Sequence, residues 1–175
     1  PKQRDKIADK NINKFNLKDT FDIGDLKIHP FSIPHDAANP CGFNIFKDNK
    51  KLSIATDIGN MTLDVLKCLE ESEFILLESN YDLEVLKHSP YPYNLKRRIA
   101  GPHGHLSNEL AGKTISHLLK SGLKNAMLGH LSKESNFPEL AYQTVVDELI
   151  YNNYDENSIS LSVASRDEHS KIIQI

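Results

Sequence analysis

The segment KLSIATDIGN, residues 51–60, shows the arrangement that decides the fold. A short apolar strand, KLSIAT, is followed directly by an acidic residue, Asp57. The same arrangement recurs in FSIPH, where His35 ends the segment, and in NAMLGH, where His130 ends it. Because the loops at the carboxyl ends of strands converge in open α/β sheets, the pattern predicts that these three side chains lie close together.

The pattern around this segment alternates strands with helices. We predict strands over 26–33, 42–47 and 51–56, with a turn at Asp48-Asn49-Lys50 between the last two. Thr62 is a helix cap, 74–77 is a buried strand, and Gly122 ends a helix over 107–121. Further helices are predicted over 82–88 and 138–150, and further strands over 125–128, 159–164 and near 171–174. This alternation predicts an α/β domain over 21–175, after a polar lead-in over 1–20.

The composition is that of an ordinary globular protein. Of the 175 residues, 39% are hydrophobic and 26% are charged, and no stretch approaches the roughly 20 apolar residues of a membrane span. We therefore expect a cytoplasmic protein with no membrane association. Cys41 and Cys68 are far apart in the sequence, so neither a disulfide framework nor a zinc ribbon is indicated. The net charge of −3 argues against a strongly basic nucleic-acid module, but not against a nuclease with a local basic cluster.

Histidine and aspartate are the ligand types that suit zinc or manganese, and one carboxylate can bridge two ions. Each candidate also has an ordinary structural interpretation. His35 follows a proline and is a possible turn residue, Asp57 can hydrogen-bond its own backbone, and His130 can be a satisfied histidine near the core. The residues alone leave both interpretations open.

Six stretches that lie in order between about residue 31 and residue 146 carry a resemblance to a known family: IPHDAANPCGF, SIATDIG, FILLESNYD, SPYPYNLKRRI, GHLSNELA and LGHLSKESNFPELA. They resemble the metallo-β-lactamase superfamily, and more closely its YycJ/WalJ-like exonuclease branch. The resemblance implies a metallo-β-lactamase αββα sandwich whose N-terminal portion is missing from this chain. It also implies that His35 binds a first metal ion, Asp57 bridges two ions and His130 binds the second.

The tRNA 3′-processing branch of the same superfamily shows a similar order of elements and adds two candidates. His105 matches a histidine before a helix, which implies a general acid or a stabiliser of the transition state. Glu78 matches an acidic residue after a buried strand, which implies a role in orienting His105 or a place near the metals. His105 can instead be a helix-entry residue before the cap Ser107, and Glu78 a carboxylate in a surface loop. His103 lies two residues away, but the GHLS element favours His105.

The cluster Lys96-Arg97-Arg98 is the best candidate for binding a nucleic-acid backbone, because arginine forks match phosphate oxygens. A solvated helix face explains the cluster equally well. Other candidates for the same cleft are Tyr91 and Tyr93, which could stack on bases, and Asn108, Asn80 and Tyr81. The remaining histidines have no assigned role: His29, His88, His117 and His169.

One diagnostic element of the superfamily, an H-x-H-x-D-H run, has no match here. The pair His103 and His105 has the H-x-H spacing but continues Leu-Ser-Asn. His35, Asp57 and His130 supply one histidine per metal and a bridge, too few for tight binding. Either the chain is a fragment of a longer protein or it is a natural, metal-poor relative. The start at Pro1 and the missing opening strands favour a fragment, which we expect to be inactive alone.

The leading hypothesis is a metal-dependent phosphodiesterase acting on nucleic acid, in particular a DNA exonuclease. The resemblance implies that it uses two divalent ions, zinc or manganese, to activate a hydroxide in the complete protein. One alternative is hydrolysis of a small ester, thioester, lactone or cyclic nucleotide, since the fold does not choose among substrates. Another is a non-catalytic module that binds protein or nucleic acid. A homo-oligomer is left open.

Overall fold

The computed structural model describes residues 8, 11–17, 19–170 and 172–174, which form a seven-stranded sheet. Four strands form an antiparallel meander: β1 (Phe21–Ile23), β2 (Leu26–Ser32), β3 (Cys41–Lys47) and β4 (Lys50–Ala55). Three parallel strands continue the sheet from β4: β5 (Phe74–Glu78), β6 (Asn125–Gly129) and β7 (Ser160–Val163). The strands are therefore ordered in space as they are in sequence.

The helices lie in the connections between parallel strands. α1 (Leu63–Leu69) joins β4 to β5, and α5 (Pro138–Tyr151) with a short 3₁₀ turn joins β6 to β7. Three helices join β5 to β6: α2 (Leu83–His88), α3 (Tyr93–Ile99) and α4 (Asn108–Leu119). Right-handed crossovers that step in one direction along a sheet place their helices on one face. The molecule thus has a helix layer over one side of the sheet.

Local sequence explains where these helices begin. The side chains of Thr62, Asp82 and Ser107 accept hydrogen bonds from backbone N–H groups in the first turns of α1, α2 and α4. Pro138 occupies the first turn of α5, where its missing N–H is not needed. Gly122 follows α4 with a φ of 97°, a conformation that glycine adopts without strain.

The hydrophobic core lies between the sheet and the helix layer. It joins one face of the parallel strands to the inner sides of the helices, with these central residues: Ala55, Ile75, Leu77, Ala126, Leu128, Val65, Leu69, Ile115, Leu118, Val145 and Leu149. The other face of the sheet carries half-buried apolar side chains, including Phe43, Ile45 and Ile54. Phe15 packs there against Phe21 and Phe43, with ring centroids 5.1 and 6.0 Å apart. One residue of the polar lead-in thus packs on the sheet.

The predicted α/β class and most predicted elements are confirmed by the structure. A strand near 171–174 is wrong for the residues that can be assessed, because 172–174 have no regular structure and residues 171 and 175 lie outside the described part. The short helix α3 was not predicted as an element. In the described part of the chain, no helix is both long and apolar enough to cross a bilayer.

Candidate metal centre

Backbone hydrogen bonds hold together the loops after β2 and β4 and the loop between α3 and α4. The Gly59 N–H donates to the Pro34 carbonyl at 2.8 Å, and the Asp36 N–H donates to the His103 carbonyl at 3.0 Å. A Cβ at residue 59 would overlap backbone atoms of His103 and Gly104. The loops after β2 and β4 and the loop before α4 therefore meet at a distance that only glycine permits at position 59.

The three predicted ligands converge where these loops meet. Asp57 Oδ1 lies 3.5 Å from His35 Nε2 and 3.7 Å from His130 Nδ1. Two donors bound to one zinc ion, each about 2.0–2.2 Å from it, lie about 3–4 Å apart. The spacing between Asp57 Oδ1 and His35 Nε2, and the donor types of all three residues, therefore fit a divalent metal centre. His105 joins the group, with its Nδ1 3.7 Å from Asp57 Oδ1.

Glu78 is the buried anchor of this cluster. Its side chain has no exposed surface and accepts hydrogen bonds from His105 Nδ1 at 2.8 Å, His130 Nδ1 at 2.7 Å and the Ile58 N–H at 2.6 Å. Because both Nδ1 atoms are engaged, the Nε2 atom of each ring is left for other partners. One donor atom from each of four residues, Asp57, Glu78, His105 and His130, lies within 4.8 Å of the others.

The same contacts shift two pKa values in opposite directions. Burial raises the pKa of Glu78, but the hydrogen bonds from His105, His130 and Ile58 outweigh it, so the net shift is downward. The hydrogen bond to Glu78 raises the pKa of His130 above its usual value, against the opposing effects of burial and of Arg166. These contacts therefore favour the ionised form of Glu78 and the protonated form of His130 more than water would in the metal-free centre.

His35 is oriented by a separate backbone contact. Its Nδ1 lies 2.8 Å from the Gly104 carbonyl oxygen, an acceptor, so this nitrogen carries the proton and donates. The lone pair of Nε2 then points to the side of the ring where Asp57 lies. A backbone carbonyl that fixes the tautomer of a histidine is the usual support for a metal ligand.

Two of the candidate ligands have a strained backbone. Asp57 has a φ of 60° and His130 a φ of 57°, both in the left-handed region that residues with a Cβ rarely adopt. Such residues cost roughly 1–3 kcal/mol each and cluster at functional sites. The turn residues Asp48, Glu71 and Asn153 have the same left-handed conformation, so this backbone geometry alone does not separate a functional residue from a turn residue.

Asn108 lies beneath the centre and not on its surface. It is 1% exposed, its Oδ1 accepts from Ser79 Oγ at 2.7 Å, and its Nδ2 donates to Asn136 Oδ1 at 3.0 Å. Asn80, also buried, donates from Nδ2 to the His130 carbonyl at 2.7 Å. The structure therefore gives Asn108 and Asn80 the position of supports for the loops after β5 and β6. Asn108 has no surface for substrate, whereas Asn80 also lines the cleft over the centre.

The basic cluster divides between two surfaces. Arg98 lines the cleft over the centre and forms a fork with Asp36, with Nη2 3.0 Å from Oδ1. Lys96 and Arg97 instead line a separate depression beside α2, where Arg97 lies 5.9 Å from the ring centroid of Tyr93. Of the three adjacent basic residues, the structure brings only Arg98 to the candidate centre.

The cleft over the centre has a volume of about 740 Å³. Its lining includes His35, Asp57, His105 and His130 together with Asn80, Tyr91, Arg98, Lys133, Glu134 and Arg166. Sequence reasoning did not single out Asp36 or Arg166. Arg166 follows shortly after β7, so the strand-end pattern that revealed Asp57 would also have indicated it.

Solved structures define the class of fold. The metallo-β-lactamase fold protein YhfI from Bacillus subtilis aligns with a TM-score of 0.59 over 86% of this chain and 50% of that protein, at 12% identity. Zinc-bound PqqB from Methylobacterium extorquens aligns with a TM-score of 0.55 over 90% of this chain and 55% of that protein, at 16% identity. The chain therefore has the metallo-β-lactamase fold.

Curated relatives of higher sequence identity show which proteins the chain resembles in sequence. Exodeoxyribonuclease WalJ of Streptococcus pneumoniae is 35% identical over 144 residues, which cover 82% of this chain and 54% of that protein. Exodeoxyribonuclease YycJ of Bacillus anthracis is 33% identical over 131 residues, which cover 75% of this chain and 50% of that protein. No protein-family model matches the chain. The chain is a homologue of the WalJ/YycJ proteins, as the sequence resemblance predicted, and spans about half the length of the curated relatives it matches.

Proposed function

We propose that the protein containing these residues is a metal-dependent phosphodiesterase that degrades DNA from an end. The observation that carries this proposal is the position of Asp57 Oδ1, which lies within 3.5–3.7 Å of nitrogen atoms on His35, His105 and His130. The exodeoxyribonuclease names of the WalJ and YycJ relatives support DNA as the substrate.

His35, Asp57 and His130 would hold two divalent ions, zinc or manganese, in the complete protein. Their oxygen and imidazole donors suit both metals, so the donor set does not choose between them. When bound, such ions supply an activated water and neutralise charge on a phosphate group. The residues of this chain hold the donors in place, through Gly104 for His35 and Glu78 for His130.

His105 would donate a proton to the oxygen that leaves the phosphate. Its Nδ1 donates to Glu78 at 2.8 Å, which fixes the ring, so the doubly protonated imidazolium would donate its second proton from Nε2. The ring is only partly exposed, with 21% of its side-chain surface accessible. An oriented imidazole at the edge of the cleft has the position that a general acid requires.

The experiment uses the natural full-length protein, stripped with a chelator and reloaded with zinc or manganese. Its substrates are linear single- and double-stranded DNA, RNA, a small ester, a thioester and a cyclic nucleotide. We expect progressive DNA degradation that appears only after reloading. Hydrolysis of the esters without any cleavage of DNA would contradict the proposal and favour the small-molecule alternative.

The 175 residues alone are inferred to bind metal weakly and to lack activity. Their three ligand candidates leave each of two ions with fewer donors than the four that zinc sites usually supply. Metal analysis of the isolated chain after gel filtration tests this inference, and two tightly held ions per chain would contradict it. A cytoplasmic location remains a prediction from the sequence.

A further inference from the structure

A second cleft, here called the side cleft, opens next to the candidate metal centre. It has a volume of about 590 Å³, and its lining includes His130, Ser132, Phe137, Val163, Ser165 and Arg166. His130, Leu131, Ser132 and Arg166 also line the cleft over the centre, so the two clefts are adjacent. A ligand in the side cleft would therefore adjoin whatever group occupies the centre.

Arg166 provides a fixed positive charge at the junction of the two clefts. Its Nη2 donates to the carbonyl of Leu131, the residue after His130, which anchors the guanidinium beside the centre. A guanidinium has five N–H donors, so others remain for phosphate oxygens. Its surroundings thus suit one phosphate group of a substrate.

The rest of the side cleft suits the other parts of a nucleotide. Phe137 is 50% exposed, and an exposed aromatic face is a surface on which a nucleobase stacks. Ser132 and Ser165 place hydroxyl groups in the same lining, and the volume falls in the range of small-molecule sites. Asp167 also lines the cleft, and its carboxylate opposes phosphate binding, so the phosphate depends on direct contact with Arg166.

We propose that the side cleft binds the nucleotide next to the scissile phosphate, with its base on Phe137 and its phosphate at Arg166. This inference rests on the proposed function, since it names a binding subsite for the same DNA substrate. The proposal gives Phe137 and Arg166 a role in binding. Neither the superfamily resemblance nor the set of candidate metal ligands assigns such a role to these two residues.

The test measures binding of thymidine 5′-monophosphate, thymidine and inorganic phosphate to the full-length protein by calorimetry, with chelator present. The variants are Phe137→Ala and Arg166→Gln, and Lys120→Gln is the matched control. Lys120 is an exposed cation at the far end of α4, roughly 18 Å along the helix from its start. Because the altered side chains are exposed, all three variants are expected to fold, and circular dichroism checks this.

We expect Phe137→Ala to weaken binding of the nucleotide and of thymidine by roughly 5- to 150-fold, the loss of one stacked base. Arg166→Gln should weaken the nucleotide and phosphate by about tenfold and leave thymidine unchanged. The control should bind as the wild type does. Wild-type protein that fails to bind the nucleotide, or both variants binding it within twofold of wild type, would overturn the side cleft as a nucleotide site.

A parallel DNA-degradation assay separates this inference from the proposed function. If reloaded wild-type protein degrades DNA while both variants bind the nucleotide normally, the side cleft is wrong and the function stands. If the variants lose nucleotide binding but wild-type protein degrades no DNA, the cleft is supported and the proposed function fails.

Discussion

The substitution Glu78→Gln tests whether one buried carboxylate holds the centre together. Glu78 accepts hydrogen bonds of 2.6–2.8 Å from His105, His130 and the Ile58 N–H. Glutamine keeps the shape but has one acceptor oxygen, and its NH₂ group must face either Ile58 or the imidazoles. At least one buried donor then loses its acceptor, at about 1–3 kcal/mol for each group. We expect the free energy of unfolding of the metal-free protein to fall by about 2–4 kcal/mol.

Urea denaturation of the metal-free protein measures this loss, and competition with a zinc chelator measures metal affinity. Since Glu78 orients His130, zinc affinity should fall by about 10- to 100-fold. The control is Glu73→Gln, just before the start of the same strand, where an exposed pair with Lys124 should matter far less. If Glu78→Gln matched the control in both stability and zinc affinity, the anchoring role of Glu78 would be refuted.

Three further predictions concern the same centre. In the full-length protein, His105→Gln should lower the rate of DNA degradation by about 10²–10⁴ with metal content retained, and an unchanged rate would remove His105 from the chemistry. In the metal-free chain, an NMR titration should place the His130 pKa above 6.5. Because the folded-state pKa of His130 is raised, its contribution to stability is fully present below about pH 6.5 and is lost as pH rises through the raised value. Because the folded-state pKa of Glu78 is lowered, its contribution is present above its unfolded pKa and is lost as pH falls through the lowered value. Gly59→Ala should lower the free energy of unfolding by about 1–3 kcal/mol, since its Cβ overlaps the backbone of Gly104, and a thermal midpoint equal to wild type would contradict this.

The sheet and the positions of the ligand candidates could be predicted from the sequence because their signals are local. Short apolar runs that end in a polar residue, as at Asp57 and His130, are local signals, and the topology of an α/β sheet brings their ends together. The left-handed backbone at both residues was not predictable, because it depends on loops packed from elsewhere in the chain.

The basic cluster shows why adjacency in sequence does not predict a shared surface. Consecutive residues of a helix point about 100° apart, so Arg97 and Arg98 can face different sides of α3. The helix itself was missed because it is short and begins after Pro92 without a side-chain cap. Asn108 resembled a surface residue because its burial depends on partners such as Asn136, 28 positions away.

The sequential order of the strands has a consequence for how the protein is made. A sheet in which every strand pairs with its neighbour along the chain can grow as the polypeptide leaves the ribosome, since each new strand meets a finished edge. The anchor Glu78 is synthesised 52 residues before its partner His130. Until β6 is added, the nascent chain carries this carboxylate with an incomplete set of donors. The hydrogen bond between Glu78 and His130 can therefore form only after the loop that follows β6 has left the ribosome.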